Sequence, residues 1–145
     1  MSPKPVLDQV NVVVSNMDAT VAFYGRMGID FTAGTPEWAG HHRSADGGEG
    51  LDLDLDSVVF ARSWNEGWTG RRNNSGCVLV FRVETREEVD ALHDEMVGAG
   101  YKVQQKPYDA FWGARFTVFE DPDGNAVGVM SPADPGLRGA PKPPG

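Results

Sequence analysis

Two groups of polar residues in this chain carry side chains that could bind ions or move protons. One is the segment LDLDLD, in which Asp52, Asp54 and Asp56 alternate with leucines, and the other is the adjacent pair His41 and His42. Because neighbouring strand residues point to opposite faces, the carboxylates should share one face, and one of the two histidines should point inward. This acidic row is expected either to meet water or to attract a cationic ligand. His42 is the candidate general base or orienting group.

Aromatic residues are concentrated in segments expected to be loops or connectors. Their rings provide large contact areas and a preference for flat partners, and Trp and Tyr add a hydrogen-bonding group. They could cover the ends of a sheet or a dimer interface, or they could line a pocket, and we predict the pocket. The predicted ligand contacts are Trp38, His42, Asp54, Phe60, Trp64, Trp68, Arg82, Tyr108, Phe111 and Trp112.

Three further residues have side chains with chemical potential. Arg82 has the same strand parity as Val78 and Val80, and it could pair with a carboxylate or hold an anionic group of a ligand. Cys77 has no recognisable His or Asn companion, so we expect a small buried residue rather than a nucleophile. His93 is expected on a helix, where it packs or meets water.

Hydrophobic periodicity predicts the same series of elements twice. The first half gives a strand at 7–14, a helix at about 17–27 and a strand at 29–33, and the second half gives a strand at 77–83, a helix ending near 98 and a strand at 101–105. Capping boxes, Ser15 with Asp18 and Thr85 with Glu88, begin the two helices. Each half closes with a hairpin, at 41–57 and at 112–130.

The two halves agree at an offset of about 70 residues, which indicates an internal duplication. The predicted fold class is α+β, with two βαβββ units forming curved mixed sheets around a cavity. The expected organisation is a single domain over residues 1–132, with units at about 6–57 and 77–132 joined by a connector at 58–76. Residues 133–145 are rich in proline, which predicts a disordered tail.

The overall charge excludes several kinds of partner. The 145 residues include 13 Lys+Arg against 21 Asp+Glu, which gives a formal net charge of −8 and opposes binding to nucleic-acid phosphates. No apolar run approaches the roughly 20 residues that span a bilayer, and no secretory signal opens the sequence. A single cysteine is compatible with a reducing compartment. We therefore expect a cytoplasmic protein without a nucleic-acid or membrane partner.

Two segments, VLDQVNVVVSNMDATVAFYGRMGIDF and FTVFEDPDGNAVGVMSP, resemble the vicinal oxygen chelate superfamily. This group includes glyoxalase I, extradiol dioxygenases, fosfomycin resistance enzymes and bleomycin resistance proteins. The resemblance covers about residues 6–132 and implies the duplicated βαβββ fold. It says much less about chemistry, because one fold can host many functions.

The same resemblance implies where a metal site would lie. Enzymes of the superfamily hold a divalent metal with residues of the first and last strand of each half, and these positions fall at Gln9, at Asp54 or Asp52, at Val78 and at Gly128. An amide and one carboxylate are too few ligands for a divalent metal, and Val78 and Gly128 supply no donor. The resemblance therefore implies a metal-free member of the group without a cofactor.

Metal-free members of the superfamily resemble proteins that sequester a planar or aromatic antibiotic. The expected function is therefore a homodimeric binding protein for a small aromatic ligand, without catalytic residues. The alternative is a metal-dependent lyase, isomerase or dioxygenase whose ligands come from Gln9, Asp54 and His41 or His42 in a rearranged site. A subunit whose cavity is filled by its own side chains is the third interpretation.

Overall fold

The computed structural model describes residues 7–32, 36–46, 50–65 and 77–139. The chain divides into two compact units, Met1–Arg72 and Asn73–Gly145. One unit contains a three-stranded sheet and the other a four-stranded sheet, each of mixed strand direction and accompanied by helices. The predicted α+β class is therefore confirmed. In the described ranges no helix is both long and apolar enough to cross a membrane.

The first unit is built around a three-stranded sheet. The elements of this unit are β1 (Gln9–Val14), α1 (Met17–Arg26), a short 3-10 helix (Pro36–Trp38), β2 (His42–Asp46), β3 (Asp52–Ser57) and α2 (Val58–Trp64). The strand order is β1-β3-β2, and β3 lies parallel to β1 and antiparallel to β2.

Alternation along β3 separates an apolar face from a polar face. Leu53 and Leu55 are buried, as are Phe23 and Tyr24 of α1, and α1 packs against β3. The rings of Phe23 and Tyr24 meet edge to face with their centroids 4.9 Å apart. Burying an apolar side chain of this kind contributes roughly 1.5–3 kcal/mol relative to leaving it exposed. The leucine face is thus the core, and the aspartates lie on the opposite side of the sheet.

The N-terminus of α1 differs from the prediction. Asn16 is the cap, and its side chain accepts a hydrogen bond of 3.0 Å from the backbone N–H of Ala19, so the predicted pair of Ser15 with Asp18 is wrong. An amide oxygen caps as well as a hydroxyl does, and Asn16 is one residue nearer the first turn. In the second unit the prediction holds, because Thr85 accepts from the N–H of Glu88.

Asn16→Ala is expected to lower the free energy of unfolding by about 1 kcal/mol, because it leaves a backbone donor of the first turn without its partner. Urea denaturation followed by circular dichroism measures the change. Asn16→Asp, which keeps the acceptor, is the matched control and should remain close to wild type. An equal loss in both variants would contradict the capping role.

Two segments of the first unit differ from the predicted elements. Within the described residues 29–32, the strand predicted at 29–33 is reduced to one antiparallel bridge, in which Thr32 and Ser44 exchange backbone hydrogen bonds of 2.8 and 3.1 Å. The reason is that the N–H of Ile29 still bonds to the carbonyl of Tyr24 at the helix end, so the chain is not extended there. The predicted connector begins with helix α2, which is capped by the hydroxyl of Ser57.

The second unit is built around a four-stranded sheet, with one strand more than the first. Its elements are β4 (Val78–Arg82), α3 (Arg86–Gly98), β5 (Val103–Asp109), β6 (Arg115–Glu120) and β7 (Ala126–Met130), and the strand order is β4-β7-β6-β5. The sequence DPDGN forms the expected turn between β6 and β7. Asp121 closes this turn by accepting hydrogen bonds from the backbone N–H groups of Asp123 and Asn125.

The core of the second unit lies between its sheet and α3. Val89 and Met96 of the helix and Phe119, Val127 and Val129 of the sheet are fully buried. His93 packs against this core, because its ring stacks on that of Phe119 at a centroid distance of 6.4 Å. Cys77 precedes β4 and is exposed, so the expectation of a buried cysteine is wrong.

The prediction of a disordered tail is wrong for residues 133–139, and residues 140–145 lie outside the described ranges. A 3-10 helix forms at Pro135–Leu137. Backbone hydrogen bonds join Asp134 to Gly113 at 3.0 Å and Gly139 to Phe111 at 2.7 Å. Gly113 has a φ of +93°, and a Cβ there would collide with the carbonyl of Asp134. Backbone pairing rather than apolar burial orders this segment, which explains why its composition was misleading.

Candidate functional site

The polar face of the first unit is formed by corresponding positions of all three strands. Gln9 lies beside Asp52 and Asn11 beside Asp54, and His42 lies opposite Asp56. Side chains at paired positions share a face, so amides, carboxylates and an imidazole form one surface.

Two carboxylates of this face are shielded from water. Asp54 is 6% exposed and Asp56 is fully buried, so the expectation that the acidic row meets water is wrong for both. They tolerate burial because each has hydrogen-bonding partners. The hydroxyl of Ser44 donates to Oδ1 of Asp54 at 2.6 Å. Asp54 is therefore held by a residue of the neighbouring strand β2.

Asp56 connects two neighbouring strands through its carboxylate oxygens. Its Oδ2 accepts a hydrogen bond of 2.8 Å from the Nδ2 of Asn11, and its Oδ1 lies 2.6 Å from the Nδ1 of His42. One third of the His42 side chain remains exposed, at 33%. The sequence alone did not identify a partner for His42, and in the structure this partner is the carboxylate of Asp56.

Aromatic rings lie beside His42. The ring of Phe60, on α2, lies 5.0 Å from that of His42, and the indole of Trp38 lies 5.6 Å from Phe60 and 6.2 Å from His41. Trp38 is 49% exposed. The structure therefore brings together Trp38, His42 and Phe60 of the predicted ligand contacts. We call these three residues the first aromatic cluster.

The other predicted contacts of the first unit are placed differently. Trp64 is the last residue of α2 and is half exposed, and within the described ranges its ring contacts no other ring. Asp54 lies on the polar face beside Asn11. Trp68 lies outside the described residues.

The corresponding face of the second unit is apolar around Val80 and Gly128. Val78 and Val80 are about half exposed, and β4 pairs with β7 so that Val80 adjoins Gly128. A Cβ built on Gly128 would lie 3.0 Å from Cε1 of Phe116 and 3.3 Å from Cγ2 of Val80. The ring of Phe116 thus occupies the space that a side chain at position 128 would need.

Phe116 is the centre of a second aromatic cluster. Its ring meets those of Trp112 and Tyr108 edge to face, at centroid distances of 5.2 and 6.2 Å. Phe111 meets Trp112 at 5.2 Å and is 47% exposed. Tyr108, Phe111 and Trp112 were predicted as contacts, whereas Phe116 was missed. Its parity with Gly128 along the paired strands was the available signal. These four residues are called the second aromatic cluster below.

Ion pairs hold the turn that carries Phe111 and Trp112. Asp109, at the end of β5, pairs with Arg86 of α3 and with Arg115 of β6. Arg86 also donates to the carbonyl of Gly113 at 3.2 Å. The hydrogen bond from Arg115 to Asp90 is the main cause that raises the pKa of the Arg115 guanidinium, so this group stays charged. The role of these ion pairs is therefore to hold the turn after β5 in place.

Arg82 stands outside that network. It is exposed at the end of β4, beside Met130, and it forms no ion pair with another described residue. Of the two roles suggested by the sequence, a pairing with a carboxylate is therefore not seen in the described part of the chain. Its role toward a ligand stays a prediction.

The residues present do not match the metal site of the resembled superfamily. Val78 and Gly128 offer no donor atom, and Phe116 fills the space above Gly128. Asp54 is already engaged by Ser44. Across the described residues, no group of three or more His, Cys, Asp and Glu side chains converges. We therefore derive no metal-dependent step.

A hollow of about 240 Å³ lies between the turn after β5 and the C-terminal segment. Phe111 and Leu137 supply its apolar surface, and Arg86 and Asp109 supply its charged groups. Phe111 therefore borders this hollow as well as contacting Trp112.

Comparisons with known proteins agree with the architecture. The fold is similar to a glyoxalase/bleomycin resistance protein/dioxygenase from Nocardioides, with a TM-score of 0.70, 19% identity and coverage of 98% of this chain and 93% of that chain. It is similar to a glyoxalase-related enzyme from Fulvimarina pelagi, with a TM-score of 0.74, 18% identity and coverage of 88% of both chains. A lactoylglutathione lyase from Agrobacterium tumefaciens gives a TM-score of 0.62 at 19% identity, over 90% of this chain and 96% of that chain.

At these identities the structural likeness extends to the fold alone. No curated protein matches the sequence. The family model described as Glyoxalase/Bleomycin resistance protein/Dioxygenase superfamily matches residues 6–129, which is most of the chain. The duplicated units, the strand pairing and this match agree, and the chain belongs to the Glyoxalase/Bleomycin resistance protein/Dioxygenase superfamily.

Proposed function

We propose that this chain is a metal-free binding protein that holds a small, flat aromatic molecule. The observation that carries the proposal is the position of Phe116, whose ring covers Gly128 and continues into Trp112 and Tyr108. At Val78 and Gly128, two of the four positions where relatives are expected to place metal ligands, this chain has an apolar surface. Aromatic rings attract flat partners through dispersion and through offset or edge-to-face contacts.

The first aromatic cluster supports the same proposal. Trp38 is half exposed and lies next to Phe60, and Phe60 in turn lies beside the imidazole of His42. Asp54 in the first unit and Arg82 in the second unit remain proposed contacts, each of which would orient charged or polar groups of a ligand bound in its own unit. In each cluster the rings would supply the affinity, and the neighbouring polar groups the specificity.

Sequestration of an aromatic antibiotic is the specific role we propose. The superfamily description includes bleomycin resistance proteins, and a chain that retains the fold without the metal donors is suited to binding rather than to metal-assisted chemistry. The arrangement as a single domain, the homodimer and the cytoplasmic location stay predictions. Size-exclusion chromatography with light scattering tests the dimer.

Titration of tryptophan fluorescence with a panel of aromatic antibiotics tests the proposal. The metal content of the same sample is measured by inductively coupled plasma mass spectrometry. Saturable quenching by one or more compounds, with metal far below one equivalent, is the expected result. Stoichiometric metal without quenching would overturn the proposal and favour the metal-dependent lyase, isomerase or dioxygenase.

A further inference from the structure

Asp56 lies opposite His42 on the polar face of the first unit. This carboxylate is fully buried, and among the described residues its partners are the amide of Asn11 and the imidazole of His42. A buried carboxylate requires donors on its oxygens, because an uncompensated buried charge is strongly destabilising. The Nδ2 group of Asn11 donates to one oxygen. His42 must supply the donor for the other.

This requirement fixes the tautomer of His42. A neutral imidazole has one N–H and one lone pair, so a proton on Nδ1 leaves Nε2 as an acceptor. The distance of 2.6 Å between Nδ1 and Oδ1 of Asp56 is that of a strong hydrogen bond to a charged group. No described residue forms a hydrogen bond with Nε2, and the side chain is one-third exposed. An acceptor is therefore presented next to the first aromatic cluster.

His41 shows that this property is specific to His42. The Nδ1 of His41 lies 2.9 Å from the hydroxyl of Ser57, and a hydroxyl can donate or accept. No described carboxylate therefore orders its tautomer. The two adjacent histidines thus differ in the partner of Nδ1, which is a carboxylate for His42 and a hydroxyl for His41.

The aromatic side chains near His42 determine which ligand groups could reach its Nε2. The ring of Phe60 lies 5.0 Å from the imidazole, and Trp38 extends the aromatic surface. A flat ligand lying on this surface could direct a group at its ring edge toward Nε2. A carboxylate or an ether oxygen at that edge has no proton to donate, whereas a phenolic hydroxyl has one.

We infer that His42, oriented by Asp56, selects aromatic ligands that carry a ring hydroxyl, by accepting a hydrogen bond from that hydroxyl at Nε2. The inference rests on the proposed function and deepens it by naming the ligand class. Asp56 is a positioning residue and His42 is the specificity-determining contact. Asn11 holds the second oxygen of Asp56 and keeps the carboxylate facing the imidazole.

A pair of probes that differ in one hydrogen-bond donor tests this inference. 2-Naphthol carries the hydroxyl, and 2-methoxynaphthalene replaces its proton with a methyl group. By isothermal titration calorimetry at neutral pH, wild-type protein should bind 2-naphthol about tenfold more tightly, which corresponds to one hydrogen bond to an oriented acceptor.

Two variants isolate the acceptor. In His42→Asn the amide nitrogen can still donate to Asp56, so folding is preserved, but the distal acceptor is gone and the preference should fall to about twofold or less. In Asp56→Asn, the amide oxygen is best placed toward the donor of Asn11, so the amide nitrogen faces Nδ1 and moves the imidazole proton to Nε2. That variant should lose the preference as well. His41→Asn is the control and should keep it.

The outcomes separate the inference from the function on which it rests. Binding of both probes with equal affinity by wild-type protein would overturn the hydroxyl selectivity and leave the aromatic binding function standing. A tenfold preference that persists in His42→Asn would also overturn the inference, because another group would then be the acceptor. Binding of neither probe would count against the aromatic site itself, and the inference would fail with it.

Discussion

Gly128→Glu is expected to lower the free energy of unfolding by about 2–3 kcal/mol rather than to restore a metal ligand, because it overpacks the face of the second unit. The new Cβ would lie 3.0 Å from the ring of Phe116 and 3.3 Å from Val80, so an aromatic side chain packed against Trp112 would have to move. Urea denaturation measures the loss.

Gly25→Glu is the matched control for this substitution. Gly25 lies exposed in α1 with nothing within 4 Å of an added Cβ, so the same change of residue should be neutral or slightly stabilising there. The double variant Gly128→Glu with Phe116→Ala should lose at least 1 kcal/mol less than the sum of the single variants, on the order expected for contacting residues. Equal stability of the Gly128 and Gly25 variants would contradict the steric argument.

Trp112→Ala is expected to weaken the binding of 2-methoxynaphthalene by about 30-fold, since a large aromatic contact is removed from the second aromatic cluster. Trp112 contacts both Phe111 and Phe116, so its loss also frees the neighbouring rings from their edge-to-face packing. This probe lacks a hydroxyl, so its affinity reports aromatic contact without a hydrogen bond from a ring hydroxyl. Calorimetry measures the affinity.

Val97→Ala controls for a general loss of apolar surface. Val97 is an apolar residue of α3 that is 47% exposed and belongs to neither aromatic cluster. The Val97→Ala variant should bind the probe with the same affinity as the wild-type protein. Unchanged affinity in Trp112→Ala, with both variants folded by circular dichroism, would show that the second aromatic cluster does not bind the probe.

Periodicity predicted the elements correctly where local pattern and packing agree. The apolar residues of α3 recur at helical spacing and are buried at Val89 and Met96, and the cap at Thr85 lies where the capping box placed it. Residues 29–33 had the composition of a strand, yet a strand requires a paired neighbour along its length. Of residues 29–32, which the structure describes, Thr32 alone has that partner, and composition contains no information about it.

The binding surfaces could be predicted in part. Strand parity placed Asp52, Asp54 and Asp56 together, and it was equally able to place Asn11 and His42 on the same face. The burial of Asp56 depends on two donors from other strands, which the sequence of one strand does not show. The second aromatic cluster also depends on the side-chain directions of Phe111 and Trp112 in the turn after β5, for which hydrophobic periodicity offers no rule.

The alternating face of β3 has a further consequence for how the chain finds its fold. Because side chains alternate strictly, a slip of one residue against β1 and β2 would turn three aspartates toward α1 and expose the leucines. Each unpaired carboxylate in that core would cost several kcal/mol, roughly as much in total as the 5–15 kcal/mol by which a domain is stable. The mispaired sheet is therefore almost unpopulated. The repeated Leu-Asp dipeptide therefore determines the register of β3 against β1 and β2.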